Sequence, residues 1–315
     1  IVFVLAFIFS NARVLGIMAP FNIAVTAALP VNLSYISFLG SLMGYVFFGG
    51  ISSNISAIFC MFLIIVAKQL FIKSQLLKYN ILGVSFLSVG ITFLIEGLNL
   101  VIIGINISGI LFVLSESLLV GSMTYFTFMC FNCINKGKFL GDLNIFEKSS
   151  FIILFGLFIL STTGIGFFFM SLGNIIGILA ILTMAYKYGV VGASISGIVV
   201  AMAITLYNPN LIYLASGFVV AGFLSSIFNK LGEFLMVSVF MIVNSVAFIL
   251  LSNDISIFSD VVDIFLSSII FLMIPEKVFE FISINKTEKN YTGVINANNS
   301  ISSKLKFASN TISDL

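Results

Sequence analysis

The chain has 315 residues, of which 60% are hydrophobic and only 8% charged, against about 25% charged in an ordinary soluble domain. Its mean hydropathy is +1.22, which excludes a water-soluble globular fold and makes a bilayer its solvent. A net charge of +2 is too small to call for nucleic acid, and with three cysteines and no histidine a disulfide framework, histidine metal sites and histidine triads are excluded.

The chain opens on Ile1 inside the apolar run IVFVLAFIF. No basic region precedes that run, so a signal peptide is not expected, and the chain reads as a piece whose start lies further upstream. Cutting at polar, Gly and Pro punctuation gives apolar stretches near 1–17, 19–33, 35–48, 54–67, 81–103, 110–134, 149–168, 172–186, 189–206, 211–228, 232–251 and 260–274. A transmembrane barrel would show alternating segments of about ten residues. Phe151 to Leu160 instead reads FIILFGLFIL, apolar on every face. The expected fold class is therefore all-α: a polytopic transmembrane bundle of about ten to twelve helices over residues 1–275. Some stretches are shorter than the roughly 17–20 residues of a full crossing, so that pairs of them are either re-entrant or merged, and the topology of the first four stays open.

If each stretch crosses once, alternate gaps lie on alternate faces. One set of gaps (17–20, 49–53, 104–109, 169–172, 207–210, 252–259) contains no lysine or arginine. The other set carries Lys68, Lys73 and Lys78, then Lys136, Lys138 and Lys148, then Lys187 and Lys230, and five more lysines follow Pro275. By the positive-inside rule the lysine face is cytoplasmic, which puts both ends of the chain in the cytoplasm.

Three ionisable residues sit deep in apolar sequence: Arg13, Glu96 and Glu116. A charge at a helix centre costs roughly 2.5–3.5 kcal/mol on insertion scales, so each should face the bundle interior or a wet cavity. They line a path in one reading, and pair structurally or stay wet near an interface in the other. Small residues recur four apart at Gly40 and Gly44, Gly173 and Gly177, Gly192 and Ser196, Ala193 and Gly197, and Gly217 and Ala221. That spacing lets helix backbones approach closely in lipid, within the chain or between copies of it. Cys130 and Cys133 form a CxxC without further ligands and read as core packing. No phosphate-cradling loop is present, because Asn132 stands where its first glycine is needed before Gly137-Lys138. Asp254, Asp260 and Asp263 precede the last crossing. They read as a solvated outer loop with a carboxylate at a helix entry, in preference to a cation site.

After Pro275 the character changes. Residues 276–300 mix charge, Asn and Thr and read as a juxtamembrane segment and linker. In 301–315, Ile301, Leu305, Ala308, Ile312 and Leu315 form one apolar stripe, the expected start of a cytoplasmic amphipathic helix leading onward.

The order of these features resembles one family, stage II sporulation protein E of endospore-forming bacteria. The resemblance lies in SNARVLGIMAPFNIA, GVVGASISGIVVAMAI, the last crossing ending SSIIFLMIPEKV, and KLKFASNTISDL. It implies a membrane domain usually of ten crossings, a regulatory linker and then a PP2C-type serine phosphatase domain that needs a divalent metal, Mn or Mg. No catalytic, metal or cofactor residue of that domain falls within this chain. The family's phosphatase acts on an anti-anti-sigma factor to release the first forespore sigma factor, and associates with the tubulin-like division protein at the polar septum. For this chain the resemblance implies an anchor and assembly domain in the cell membrane, with the lipid bilayer and other copies of itself as partners. The alternative is a small-molecule permease, or the substrate-binding membrane subunit of one, with Arg13, Glu96 and Glu116 along its path.

Overall fold

In hydrocarbon every backbone N–H and C=O must be paired within its own segment, and the fold follows from that demand. The computed structural model describes residues 1–14, 19–71, 80–138, 142–167, 170–251 and 257–275. Among them are eleven helices: α1 (Val2–Phe9), α2 (Pro20–Ala28), α3 (Val31–Phe48), α4 (Ile55–Phe71), α5 (Ile81–Ile103), α6 (Ile107–Asn135), α7 (Ile145–Thr163), α8 (Leu172–Tyr207), α9 (Ile212–Ile227), α10 (Glu233–Leu251) and α11 (Ile257–Met273). A two-residue hairpin, β1 (Gly166–Phe167) against β2 (Met170–Ser171), links α7 to α8. Six of the helical segments are long and apolar enough to cross a membrane. The all-α polytopic bundle expected from composition is the observed architecture. The linker at 276–300 and the amphipathic stripe at 301–315 lie outside the described residues.

Helix α8 is two helices joined by one residue. Gly189 breaks it with φ 60° and ψ −143°, a positive-φ conformation used essentially by glycine, which costs other residues about 1–3 kcal/mol. A side chain at Gly192 would strike the Met184 carbonyl and Tyr188, and one at Gly177 would strike Val200. The arms 172–188 and 190–207 therefore run antiparallel. Asn229 closes the turn, its Nδ2 donating to the carbonyls of Ala185 at 3.1 Å and Tyr186 at 2.8 Å. With this break counted, each of the twelve apolar stretches holds one helix.

The first two helices are unusual. Helix α1 runs parallel to α3, with Phe3 and Ala6 beside Gly40, Phe7 and Ser10 beside Gly44, and Arg13 beside Gly49. Helix α2 returns antiparallel to α3, with the Ser34 hydroxyl donating to the Thr26 carbonyl at 2.8 Å and Thr26 Oγ1 bonded to Ser37 Oγ at 3.1 Å. All nine residues of α2 are buried. Nine residues span about 13 Å, under half of the roughly 30 Å hydrocarbon core, so α2 is a short internal helix wrapped by its neighbours.

Two large apolar cores hold the bundle, with a small third cluster at Phe9, Val25 and Leu29. One, in the C-terminal half, gathers Ile178, Ile181, Leu182, Phe218, Phe240 and Phe271. The other surrounds α2 with Ile23, Tyr45, Met61, Ile64, Val84 and Val120. The lipid-facing surface is apolar as well; α5, for example, exposes Leu82, Phe86, Leu94 and Leu98.

Alternation of the helices gives the bundle two ends. Lys68, Lys136, Lys138, Lys148, Lys187 and Lys230 all fall at one end, with Pro275 after α11. The turns at 49–54, 104–106, 164–171 and 208–211 form the other end and hold no lysine or arginine.

Candidate functional site

Helix α2 organises a polar layer inside the N-terminal half. Its orphan donors and acceptors are met by charges from two other helices. At its start, the Glu116 carboxyl on α6 stands beside the Ala19 backbone N–H, and Glu116 is 7% exposed. At its end, Lys68 on α4 donates to the carbonyls of Thr26 at 2.8 Å and Leu29 at 2.5 Å and to Ser34 Oγ at 3.1 Å. An anion at the N-terminus and a cation at the C-terminus are the arrangement the helix dipole favours. The middle is tied by Asn22. In the amide orientation that satisfies both its ends, it donates to the Ala6 carbonyl at 3.1 Å and accepts from Ser10 N–H at 3.1 Å and Ser41 Oγ at 3.2 Å.

Arg13 is not inside a helix. Helix α1 ends at Phe9, and Arg13 follows in the connection to α2, at the end of the bundle away from the lysines. Its guanidinium fills the space that a side chain at Gly49 would take, and its Nη2 is buried without a hydrogen-bond partner among the described residues. The Tyr45 hydroxyl is likewise buried beside Asn22, outside hydrogen-bonding geometry. Glu96 on α5 stands close enough to act electrostatically on Glu116 and on Cys60. Thus Arg13, Glu96 and Glu116 gather around one region, but among the described residues neither glutamate forms an ion pair with Arg13.

The small residues face neighbours within the chain. Side chains at Gly40 and Gly44 would strike α1, at Gly173 the backbone of Thr163, at Gly177 Val200, and at Gly192 Met184. Gly197 lies against Val219, Gly217 and Ala221 are buried, and Ser196 donates to its own helix at Gly192. By contrast a side chain at Gly90 or Gly97 of α5, or at Gly104 just after it, would meet nothing within 4 Å. Cys60, Cys130 and Cys133 are buried free thiols.

A second polar group lies at the lysine-free end, where a solvated loop was expected. Asp263 is fully buried and Asp260 is 8% exposed. Asp263 accepts from the Ser171 backbone N–H at 3.1 and 3.2 Å and from Asn174 Nδ2 at 3.0 Å. Asp260 accepts from the Tyr213 hydroxyl at 3.3 Å. The packing of α11 against α8 and β2 removes these carboxylates from water, which no local sequence signal announces. Asp254 lies outside the described residues.

At the opposite end Lys138 pairs with Glu147 at 2.5 Å. The Glu147 carboxylate raises the Lys138 pKa above the usual lysine value. Glu147 also closes a capping box with Asn144 at the start of α7.

Sequence reasoning found Glu116 as an embedded charge but missed Lys68, which sits in a lysine-bearing gap and looks like an ordinary interfacial cation. Asn22 and Asn174 were missed too. The one available signal was a polar amide in an otherwise apolar stretch.

Comparison of the chain with protein-family models, with curated proteins and with solved structures finds no match.

Proposed function

We propose that this chain is the membrane domain of a sporulation serine phosphatase of the stage II sporulation protein E type, with its lysine-bearing end in the cytoplasm. The observation that carries the proposal is where the chain leaves the bundle. Helix α11 ends at Met273, and Pro275 follows at the end that also holds Lys68, Lys136, Lys138, Lys148, Lys187 and Lys230. The segment after Pro275 is therefore delivered to the face that the positive-inside rule assigns to the cytoplasm, as a tether for a catalytic partner domain requires. The embedded charges add support, because Glu116 and Lys68 are committed to capping α2.

An anchor of this kind acts by effective concentration. Holding phosphatase domains in one patch of membrane raises their encounter with each other and with a bound substrate without any new contact. The metal-dependent chemistry, the anti-anti-sigma factor substrate and the division-protein partner belong to the downstream part implied by the resemblance. Self-association of the anchored copies is part of the same proposal.

The test is localisation. Fused to a fluorescent protein in a sporulating cell, residues 1–315 should concentrate at the polar division septum. An even distribution around the cell membrane overturns the proposal.

One observation favours the permease reading: among the described residues Arg13 Nη2 and the Tyr45 hydroxyl are buried without hydrogen-bond partners, as in a site that receives an acceptor from a solute. Truncation after Pro275 separates the two readings. A permease keeps its transport activity in that form, whereas an anchor loses its function once cut from its partner domain.

A further inference from the structure

Asp260 and Asp263 stand one turn apart on the same face of α11, so their Cβ atoms lie about 5–6 Å from each other. Both are withdrawn from water, at 8% and 0% exposure. Their partners are neutral: Ser171 N–H and Asn174 Nδ2 for Asp263, and the Tyr213 hydroxyl for Asp260. Among the described residues the cation at this end of the bundle is Arg13, which packs against Gly49 and forms no ion pair with either aspartate. The lysines are at the far end of the bundle, and the 17 residues of α11 span about 25 Å. Two buried carboxylates must either share a proton or hold a positive partner, because the desolvation of two like charges is not repaid by neutral donors alone.

Asn174 identifies what kind of partner. It is 3% exposed, and its amide is docked on the pair through Nδ2 at 3.0 Å from Asp263 Oδ2. Its Oδ1, on the same amide, is buried and has no donor. The unmet group is therefore an acceptor, one amide oxygen, and it belongs to the side chain that is docked on the carboxylate pair. Oxygen-only sets of this kind bind hard cations.

We propose that Asp260, Asp263 and the Asn174 side-chain oxygen bind a hard metal cation at the lysine-free end of the bundle, with a divalent ion favoured because two carboxylates match its charge. The ion cross-links α11 to the start of α8, two elements joined here through Asp263. This site is independent of the anchor proposal and survives its failure.

The experiment uses the purified full chain in lipid nanodiscs. Thermal unfolding is followed in a chelator and then in Ca²⁺, Mg²⁺ or Na⁺ at fixed ionic strength. The wild-type Tm should rise with one or both divalent ions, by roughly 3 °C for each tenfold increase above the Kd. Asp263→Asn should abolish that rise while folding in chelator at least as stably as the wild type, since it removes an uncompensated charge. Asp260→Asn, at the less buried position, should weaken the response at least tenfold in cation concentration. A response to Na⁺ alone overturns the charge-match assignment. A flat Tm in all three ions, with Asp263→Asn again at least as stable as the wild type, assigns a shared proton to the pair and overturns the site.

Discussion

Replacing Lys68 with methionine separates a structural cap from a lysine that merely reaches for water. In the wild type its ammonium donates to two carbonyls at the end of α2, at 2.8 and 2.5 Å. Hydrogen bonds to a charged group contribute about 1.5–3 kcal/mol each, so the pair is worth about 3–6 kcal/mol. Two effects oppose the loss. The Ser34 hydroxyl lies within hydrogen-bonding distance of both carbonyls, at 2.8 and 3.0 Å, and its single proton can satisfy one of them. Removing the ammonium also relieves a desolvation cost of at most about 2.5–3.5 kcal/mol, the value at a helix centre. The net expectation for Lys68→Met is a destabilisation of about 1–3 kcal/mol. Equilibrium unfolding of the purified chain in mixed detergent micelles, followed by helical circular dichroism, measures it. Lys68→Arg keeps the charge and the donors and should recover at least half of the loss. If Lys68 only extended toward the interface, methionine would be neutral or stabilising. A Lys68→Met chain as stable as the wild type would therefore refute the assignment of Lys68 as the cap of α2.

Gly189→Ala forces a side chain into a positive-φ conformation that only glycine adopts freely and should cost about 1–3 kcal/mol in the same assay, with no change in helical content. Gly177→Leu should destabilise by more than 2 kcal/mol because the arms of α8 would have to part. Gly90→Ala and Gly97→Ala face open space, and each should stabilise by about 0.5–1 kcal/mol through helix propensity. Single cysteines placed at Lys187 and Lys230 should react with a membrane-impermeant thiol reagent only from the cytoplasmic side, and those at Asn106 and Asn208 only from outside. Labelling of Lys187 and Asn208 positions from the same side contradicts the alternation of the helices.

Composition and periodicity alone determined the solvent, the fold class and the twelve apolar segments, because burial in lipid demands long apolar runs and each run carries its own hydrogen bonds. Segregation of the lysines was equally legible, since it depends only on which gaps they occupy. What the linear order left undecided is what each embedded polar group touches. Glu116 and Lys68 are 48 positions apart in the numbering and meet only through the two ends of α2. Asp263 and Asn174 are 89 apart. The sequence also placed Arg13 within a crossing, whereas the chain breaks after Phe9 and puts it in a connection. The tandem small residues announced close contact without saying with what, and packing turned them onto α1, α7 and the second arm of α8. Hydrophobicity is a property each residue carries with it. Partnership between charges belongs to a pair, and only tertiary packing brings the pair together.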